Sequence, residues 1–279
     1  MSGQAELAQR FARLTEISDI MTAMKSLSLV ETKKLARFIG HQRQMLANIE
    51  AAAADFLSFF PLAPAAAQAP LVQPAILLLI GSERGFCGNF NERLLGALDA
   101  LPGGLPAPTT LLLVGSRLAA KLAQHPGVTA RIDGANVTED VPKVLNRIMD
   151  ALHTASTGAG AALFCLAHAA EGEPTLKRLL QFDPPPAPHL PHLPRLHLTP
   201  SAFFADLLDQ YLLAALYGQL YESLSAESRQ RLAHMEHALD RLDETIARLA
   251  LKRNALRQER IVEEIEVILS SEMAFRDHE

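Results

Sequence analysis

The pattern of apolar and polar positions is helical at both ends of the chain and strand-like in the middle. From Leu232 the apolar positions run Leu232, Met235, Leu239, Leu242, Ile246, Leu249 and Leu256, in steps of three and four. That spacing keeps one narrow stripe on one side of a helix, as in a coiled coil. Arg253 falls where the next apolar residue was due. Phe203 to Phe275 holds no proline and only Gly218 as a glycine. The stretch therefore predicts a single helix, roughly 110 Å long at 1.5 Å rise per residue. A helix of that length has to leave a globular domain, and something must cover its stripe.

Gln4 to Phe59 has the same character, with no proline and only Gly40. Leu7, Leu14, Ile17, Met21, Met24, Leu35, Phe38, Met45, Ile49 and Phe56 fall on one three-four stripe, interrupted by Arg10, Ser28, Glu31 and Gln42. Two helices with stripes too narrow to be buried all round are satisfied by sharing one seam. Lying at opposite ends of the chain, they are predicted to pair antiparallel.

Between them the period changes. Pro61 to Pro74 (PLAPAAAQAPLVQP) reads as an extended linker. Short apolar runs follow at Ala75–Ile80, Thr110–Val114, Val128–Ile132 and Ala161–Ala167, each the length of a buried strand. They alternate with helical stretches ending near Ala100 and spanning Ser116–Gln124 and Thr138–Thr154, which implies βαβ crossovers and a mostly parallel sheet. Leu176–Phe182 and Arg195–Leu198 are two further strand candidates, separated by a loop holding Pro184, Pro185, Pro186, Pro188, Pro191 and Pro194. The expected fold class is thus α/β plus long helices. An antiparallel two-helix coiled coil of residues 1–60 and 201–279 carries a Rossmann-like domain over 75–200, joined by the linker 61–74.

Composition narrows the function classes. Net charge is -5 at pH 7, so no global basic character points to nucleic acid. The hydrophobic fraction of 49% argues against disorder, and no apolar run approaches the ~20 residues that span a bilayer. The first residues, MSGQAELAQR, lack the basic start and apolar core of a secretory signal. Cys87 and Cys165 are therefore expected to be reduced thiols.

Candidate chemistry is sparse. The turn from Gly81 to Gly88 follows a strand and opens a helix, where nucleotide-binding proteins cradle phosphate. It matches neither G-x-G-x-x-G nor G-x-x-x-x-G-K-[ST]. A tight turn and a partner-contacting loop with Glu83 and Arg84 exposed are the other readings of this stretch. His189, His192 and His197 lie in or beside the proline-rich segment without the cysteines or regular spacing of a zinc site, and no metal is expected. His234 and His237 flank the seam as surface residues, and His125 and His153 are isolated. Ser82 is not in a G-x-S-x-G context. No catalytic, cofactor-binding or metal-binding residues emerge. The mixed charges of the last helix, from Glu227 and Arg229 to Arg260 and Glu266, read as a solvated face with i,i+4 pairs or as a helix touching the walls of a protein cavity.

Several blocks resemble the gamma subunit of F-type ATP synthases, the central rotor stalk. Ile20-Met21-Thr22-Ala23-Met24-Lys25 resembles the family's I-T-K-A-M-K block. Ser82-Glu83-Arg84-Gly85-Phe86-Cys87-Gly88-Asn89-Phe90-Asn91 resembles S-D-R-G-L-C-G-G-L-N. Ser225 to Met235 resembles S-E-x-x-x-R-x-x-A-M, and Lys252 to Gln258 with Ile261 to Ile265 resembles Y-N-x-x-R-Q-x-x-I-T-x-E-L. The resemblance implies a shaft with no catalysis of its own, coupling ion translocation to ATP synthesis or hydrolysis. Its implied partners are a catalytic alpha/beta-type ring, an epsilon-type subunit and a membrane ring of c-type subunits. The implied location is peripheral, on the cytoplasmic face of the cell membrane. By the same resemblance Met24 and Lys25 match the contact with the catalytic subunits' lever region, and Arg257, Gln258 and Glu264 match positions near the ring's catch loops. Departures at Glu16, Asp19, Thr22, Glu263, Glu266 and the polar end Ser270–Glu279 imply a divergent branch, an alternative bacterial F-type ATPase. A nucleotide-dependent enzyme using the 81–88 turn and a static coiled-coil scaffold are the competing readings.

Overall fold

A computed structural model describes residues 2–60, 75–101, 109–155, 161–179 and 195–276, with side chains from 5 to 269 within those ranges. The chain forms two compact units, one of Met1–Leu27 with Ala233–Glu279 and one of Ser28–Leu232. The linker 61–74 and the proline-rich segment with His189 and His192 lie outside the described residues.

The N-terminal helix α1 spans Ser2–Phe59 and the C-terminal helix α5 spans Pro200–Arg276. In the first unit they run antiparallel: Lys25 pairs with Glu236 at 3.1 Å, and Arg253 lies over the Phe11 ring. In the second unit the direction is the same, with Phe38 stacked on Tyr221 and Phe56 between Phe203 and Phe204. The α5 stripe is as expected. Met235 and Leu239 are buried, Leu232, Leu242, Ile246, Leu249 and Leu256 are half-buried, and Arg253 is exposed.

The α1 seam departs from expectation by one residue at Arg10, Ile17, Phe38 and Met45, while Met24 and Glu31 of the expected stripe are half-buried. Buried or half-buried positions are Leu7, Phe11, Leu14, Ser18, Met21, Met24 and Lys25 in the first unit. In the second they include Ser28, Thr32, Leu35, Ile39, Gln42, Leu46, Ile49, Ala53 and Phe56. Met24 aside, the steps through these positions alternate four and three, where three and four had been read. Ile17, Phe38 and Met45 are exposed on the flank, and Arg10 is off the seam, its place taken by Phe11. Both phases share the seven-residue repeat from Leu7 to Phe56. Ile17, Phe38 and Met45 made the wrong phase look richer in apolar residues than Ser18, Ile39 and Leu46.

The second unit contains a five-stranded sheet of order β3-β2-β1-β4-β5. Its strands are β1 (Ala75–Ile80), β2 (Thr109–Val114), β3 (Val128–Ile132), β4 (Ala162–His168) and β5 (Pro174–Arg178). The first four are parallel, and β5 is an antiparallel edge on β4. Helices α2 (Phe90–Asp99), α3 (Ser116–Lys121) and α4 (Val141–Ala155) connect them. Every residue of β1 is buried, as a central strand covered on both faces requires.

Alternate residues face opposite sides. Ile76, Leu78 and Ile80 share a core with α4, Leu35 and Ile39 of α1, and Leu216 and Leu220 of α5. Leu77 and Leu79 pack with Leu94 of α2 and Leu118 of α3. Three expectations are corrected. Arg195–Leu198 is not a strand. The helix after β2 stops at Lys121, and Thr138–Asp140 is a 3-10 turn ahead of α4.

Candidate functional site

The turn after β1 is the most tightly specified polar region. Gly81 sits where a Cβ would lie 2.5 Å from Leu118 Cβ and 2.7 Å from Asn91 Oδ1, so only glycine fits. The Ser82 amide donates to Asn91 Oδ1 at 3.0 Å, and Asn91 Nδ2 donates to Ser82 Oγ at 2.7 Å, both residues being buried. Glu83 is half-buried rather than exposed. Its carboxylate accepts from the Ser116 amide at 2.8 Å, the Ser116 hydroxyl at 2.7 Å and the Gly134 amide at 2.6 Å. It thereby joins the three loops that follow β1, β2 and β3. Arg84 is exposed, with Nε donating to Asn136 Oδ1 at 2.7 Å.

Glu227 of α5 reaches this turn from the other side. Its two carboxylate oxygens accept from the Glu83 and Arg84 amides, each at 3.3 Å. Arg231, one helical turn on, pairs with Glu227 and donates from Nε to the Gly85 carbonyl at 3.2 Å. Both side chains are buried. Burial pushes the Glu227 carboxyl above its ordinary value, and the guanidinium and the two amides act against that shift. Sequence reasoning had placed Glu227 among solvated charges.

This geometry bears on phosphate binding. The backbone amides of residues 82 to 84 are those a phosphate-cradling turn would offer. All three instead donate to side-chain oxygens of the chain itself. A cleft of about 430 Å³ lies beside the turn, lined by Ser82, Cys87, Asn91, Arg117 and Lys121 among others. Its Lys121 is paired with Glu92 at 2.6 Å. Among the described residues there is no cluster of histidine, cysteine, aspartate and glutamate able to hold a metal ion.

The partner-contact candidates are dispersed. Met24 and Lys25 are half-buried on α1, Lys25 being engaged by Glu236. On α5, Arg257, Gln258 and Glu264 are exposed, and Glu264 accepts from Arg260 at 3.0 Å. From Arg257 to Leu269 every side chain is exposed, including Ile261, Val262, Ile265 and Val267. Sequence reasoning also missed Glu31, a polar interruption of the α1 stripe. Its carboxylate accepts from the amide and hydroxyl of Thr138 at 3.2 and 3.0 Å, fixing α1 to the turn before α4.

A family model described as ATP synthase matches residues 3–275, nearly the whole chain. The chain belongs to the ATP synthase family, as a gamma chain. It is 25% identical to the ATP synthase gamma chain of Amoebophilus asiaticus, over 91% of this chain and 93% of that one. It is 22% identical to that of Pelotomaculum thermopropionicum, over 98% and 99%. The fold is that of the rotor of Euglena gracilis mitochondrial ATP synthase (TM-score 0.64, 11% identity), over 93% of this chain and 99% of that one. A central-stalk chain from the Tetrahymena thermophila mitochondrial ATP synthase superposes with TM-score 0.52 at 18% identity, over 78% and 99%. The gamma chain is a non-catalytic, central-stalk subunit of its complex.

Proposed function

We propose that this gamma chain is the rotor shaft of an F-type ATP synthase or ATPase. It couples ion flow through a membrane ring of c-type subunits to conformational change in an alpha/beta-type catalytic ring, with an epsilon-type subunit as a further partner. It works peripherally, at the cytoplasmic face of the cell membrane; no described helix is long and apolar enough to cross a membrane. The chain divides functionally into the helices 1–60 and 201–279, the linker 61–74 and the α/β domain 75–200.

The observation that carries the reading is the run of exposed apolar side chains from Ile261 to Leu269 at the end of α5. Exposed apolar surface of that extent on a charged helix calls for a protein surface to receive it. Arg257, Gln258 and Glu264 on the same stretch, with Met24 and Lys25 on α1, are the proposed contacts with the catalytic ring. A shaft whose sides differ touches each catalytic site differently at each angle. It thereby biases the conformational equilibrium of each site in turn.

Purification of the tagged native chain tests this, followed by removal of residues 257–279. The full chain is expected to bring down a large ATPase ring. The shortened chain is expected to retain ring-associated hydrolysis while losing most ATP-driven ion pumping. Normal pumping by the shortened chain makes it a static scaffold. ATP turnover by the isolated chain moves the assignment to the 81–88 turn.

A further inference from the structure

Ile17, Ile20, Met24 and Leu27 follow one another on α1 at steps of three, four and three. They form a second apolar stripe, beside the seam of Leu14, Ser18, Met21 and Lys25. Within the first unit α5 leaves this stripe open. Ile17, Ile20 and Leu27 are 45%, 54% and 48% exposed, and Met24 is half-buried.

Negative charge marks one edge of the stripe. Glu16 lies one helical turn before Ile20, and Asp19 lies three residues after Glu16, on the side away from the seam. Both are exposed. Lys25 is taken by Glu236 at 3.1 Å, and among the described residues no ion pair engages Glu16 or Asp19. The contacts of Lys25 with Glu236 and of Arg253 with Phe11 fix which part of α5 runs alongside. Beside the stripe α5 adds exposed Asp240, Asp243 and Glu244 against Arg241. Farther along the pair of helices the sign reverses, with Arg10 and Arg13 on α1 and Arg248 and Lys252 on α5, all exposed.

We infer that the α1 face from Ile17 to Leu27 receives an amphipathic helix of the catalytic ring. The apolar side of that helix meets these four residues, and its lysines or arginines meet Glu16 and Asp19. The inference rests on the rotor-shaft reading and gives the contact at Met24 a partner of stated chemistry.

Shape and charge together select this occupant. A stripe at steps of three and four is matched by the ridge of another helix. From Ile17 to Leu27 it is roughly 15 Å long, enough for about three turns of a partner. An anionic lipid surface would be repelled by the acidic edge. A second copy of this chain, laid on the same face, would set carboxylates against carboxylates. A basic helix is drawn to this level and turned away from the next, where Arg10 and Arg13 stand. Screening over about 8 Å at physiological ionic strength keeps the two levels electrically separate. Glu16 and Asp19 thereby act as specificity residues, because a ring that offers an acidic helix at this height is rejected.

Co-expression of the tagged wild type with the untagged double variant Glu16→Lys and Asp19→Lys, and of the reverse pair, tests the inference. The share of each chain in purified ATPase complexes is read by mass spectrometry. Both positions are exposed on a helix, so melting of the double variant is expected to stay near wild type. Its share of the complexes is expected to fall about tenfold or more, because like charges then face one another across the contact. Equal shares overturn the inference and leave the shaft reading standing. A tagged wild type that brings down no ATPase ring removes the shaft reading, and the inference with it. Photocrosslinking from Ile20→p-benzoylphenylalanine in the assembled complex gives a second readout. The product is expected in a catalytic-ring subunit, on a peptide with more lysine and arginine than aspartate and glutamate. A peptide without that excess, a product in any other subunit, or no product overturns the inference. If the double variant does not fold, the crosslink alone decides.

Discussion

Glu227 and Arg231 pair one helical turn apart on α5, and together they hold the turn after β1 by its backbone: the carboxylate takes two amides and the guanidinium takes the Gly85 carbonyl. Removing one partner leaves the other charge buried without compensation, which costs about 3–5 kcal/mol. Glu227→Ala is therefore expected to lower stability by that order in urea denaturation. Glu227→Met combined with Arg231→Met is expected to cost less than Glu227→Ala, because no charge is then left stranded. A double variant as weak as the single one would mean that the backbone contacts, not the ion pair, carry the loss.

The glycines make a contrasting pair. Gly115 has φ +106°, and a Cβ there would lie 2.7 Å from the carbonyl oxygens of Gly81 and Ser82. Both the backbone region and the clash oppose a side chain, so Gly115→Ala is expected to cost more than about 1 kcal/mol. Gly40 sits inside α1 with nothing within 4 Å of its would-be Cβ. Gly40→Ala is expected to gain about 0.5–1 kcal/mol from helix propensity. Thermal melting of the two variants should move in opposite directions.

The sequence carried the seven-residue repeat of both long helices, the four parallel strands and the family blocks, because these are written in local periodicity. It did not carry the phase of α1. Position 17 is more apolar than position 18, and burial against α5 rather than apolarity decides which faces inward. It did not carry the burial of Glu227 either. A glutamate four residues before an arginine reads as a surface pair, and only the fold brings the 81–88 turn down on it. The phase is testable. Ile39→Ala, at a buried position, is expected to cost about 2–5 kcal/mol. Ile17→Ser, at a position 45% exposed, is expected to stay within about 1 kcal/mol.

The thiols offer a pH-dependent reading. Cys165 is fully buried in β4, and burial pushes its pKa up to about 12. Cys87 is raised by the same cause. The thiolate is the reactive form, so both are protonated and inert at neutral pH. Iodoacetamide is expected to leave both unmodified in the native protein at pH 8 and to label both in urea. Native labelling of Cys165 would require opening of the sheet centre, since β1 pairs along its length with β4.

Lys25 separates a fold contact from a partner contact. Its ammonium lies 3.1 Å from Glu236, with the two side chains 38% and 50% exposed. A pair this open is worth about 1 kcal/mol or less. Lys25→Glu is accordingly expected to leave the helix pair folded, as is Met24→Lys, where a long side chain can carry its charge outward from a half-buried position. The informative variant is the swap, Lys25→Glu with Glu236→Lys, which restores the intrachain pair with its charges reversed. If Lys25 also meets the catalytic ring, ATP-driven pumping fails in both Lys25→Glu and the swap while melting stays near wild type. If the swap recovers pumping, the salt bridge to Glu236 is the whole role of Lys25, and the contact belongs to Met24 or elsewhere on α1.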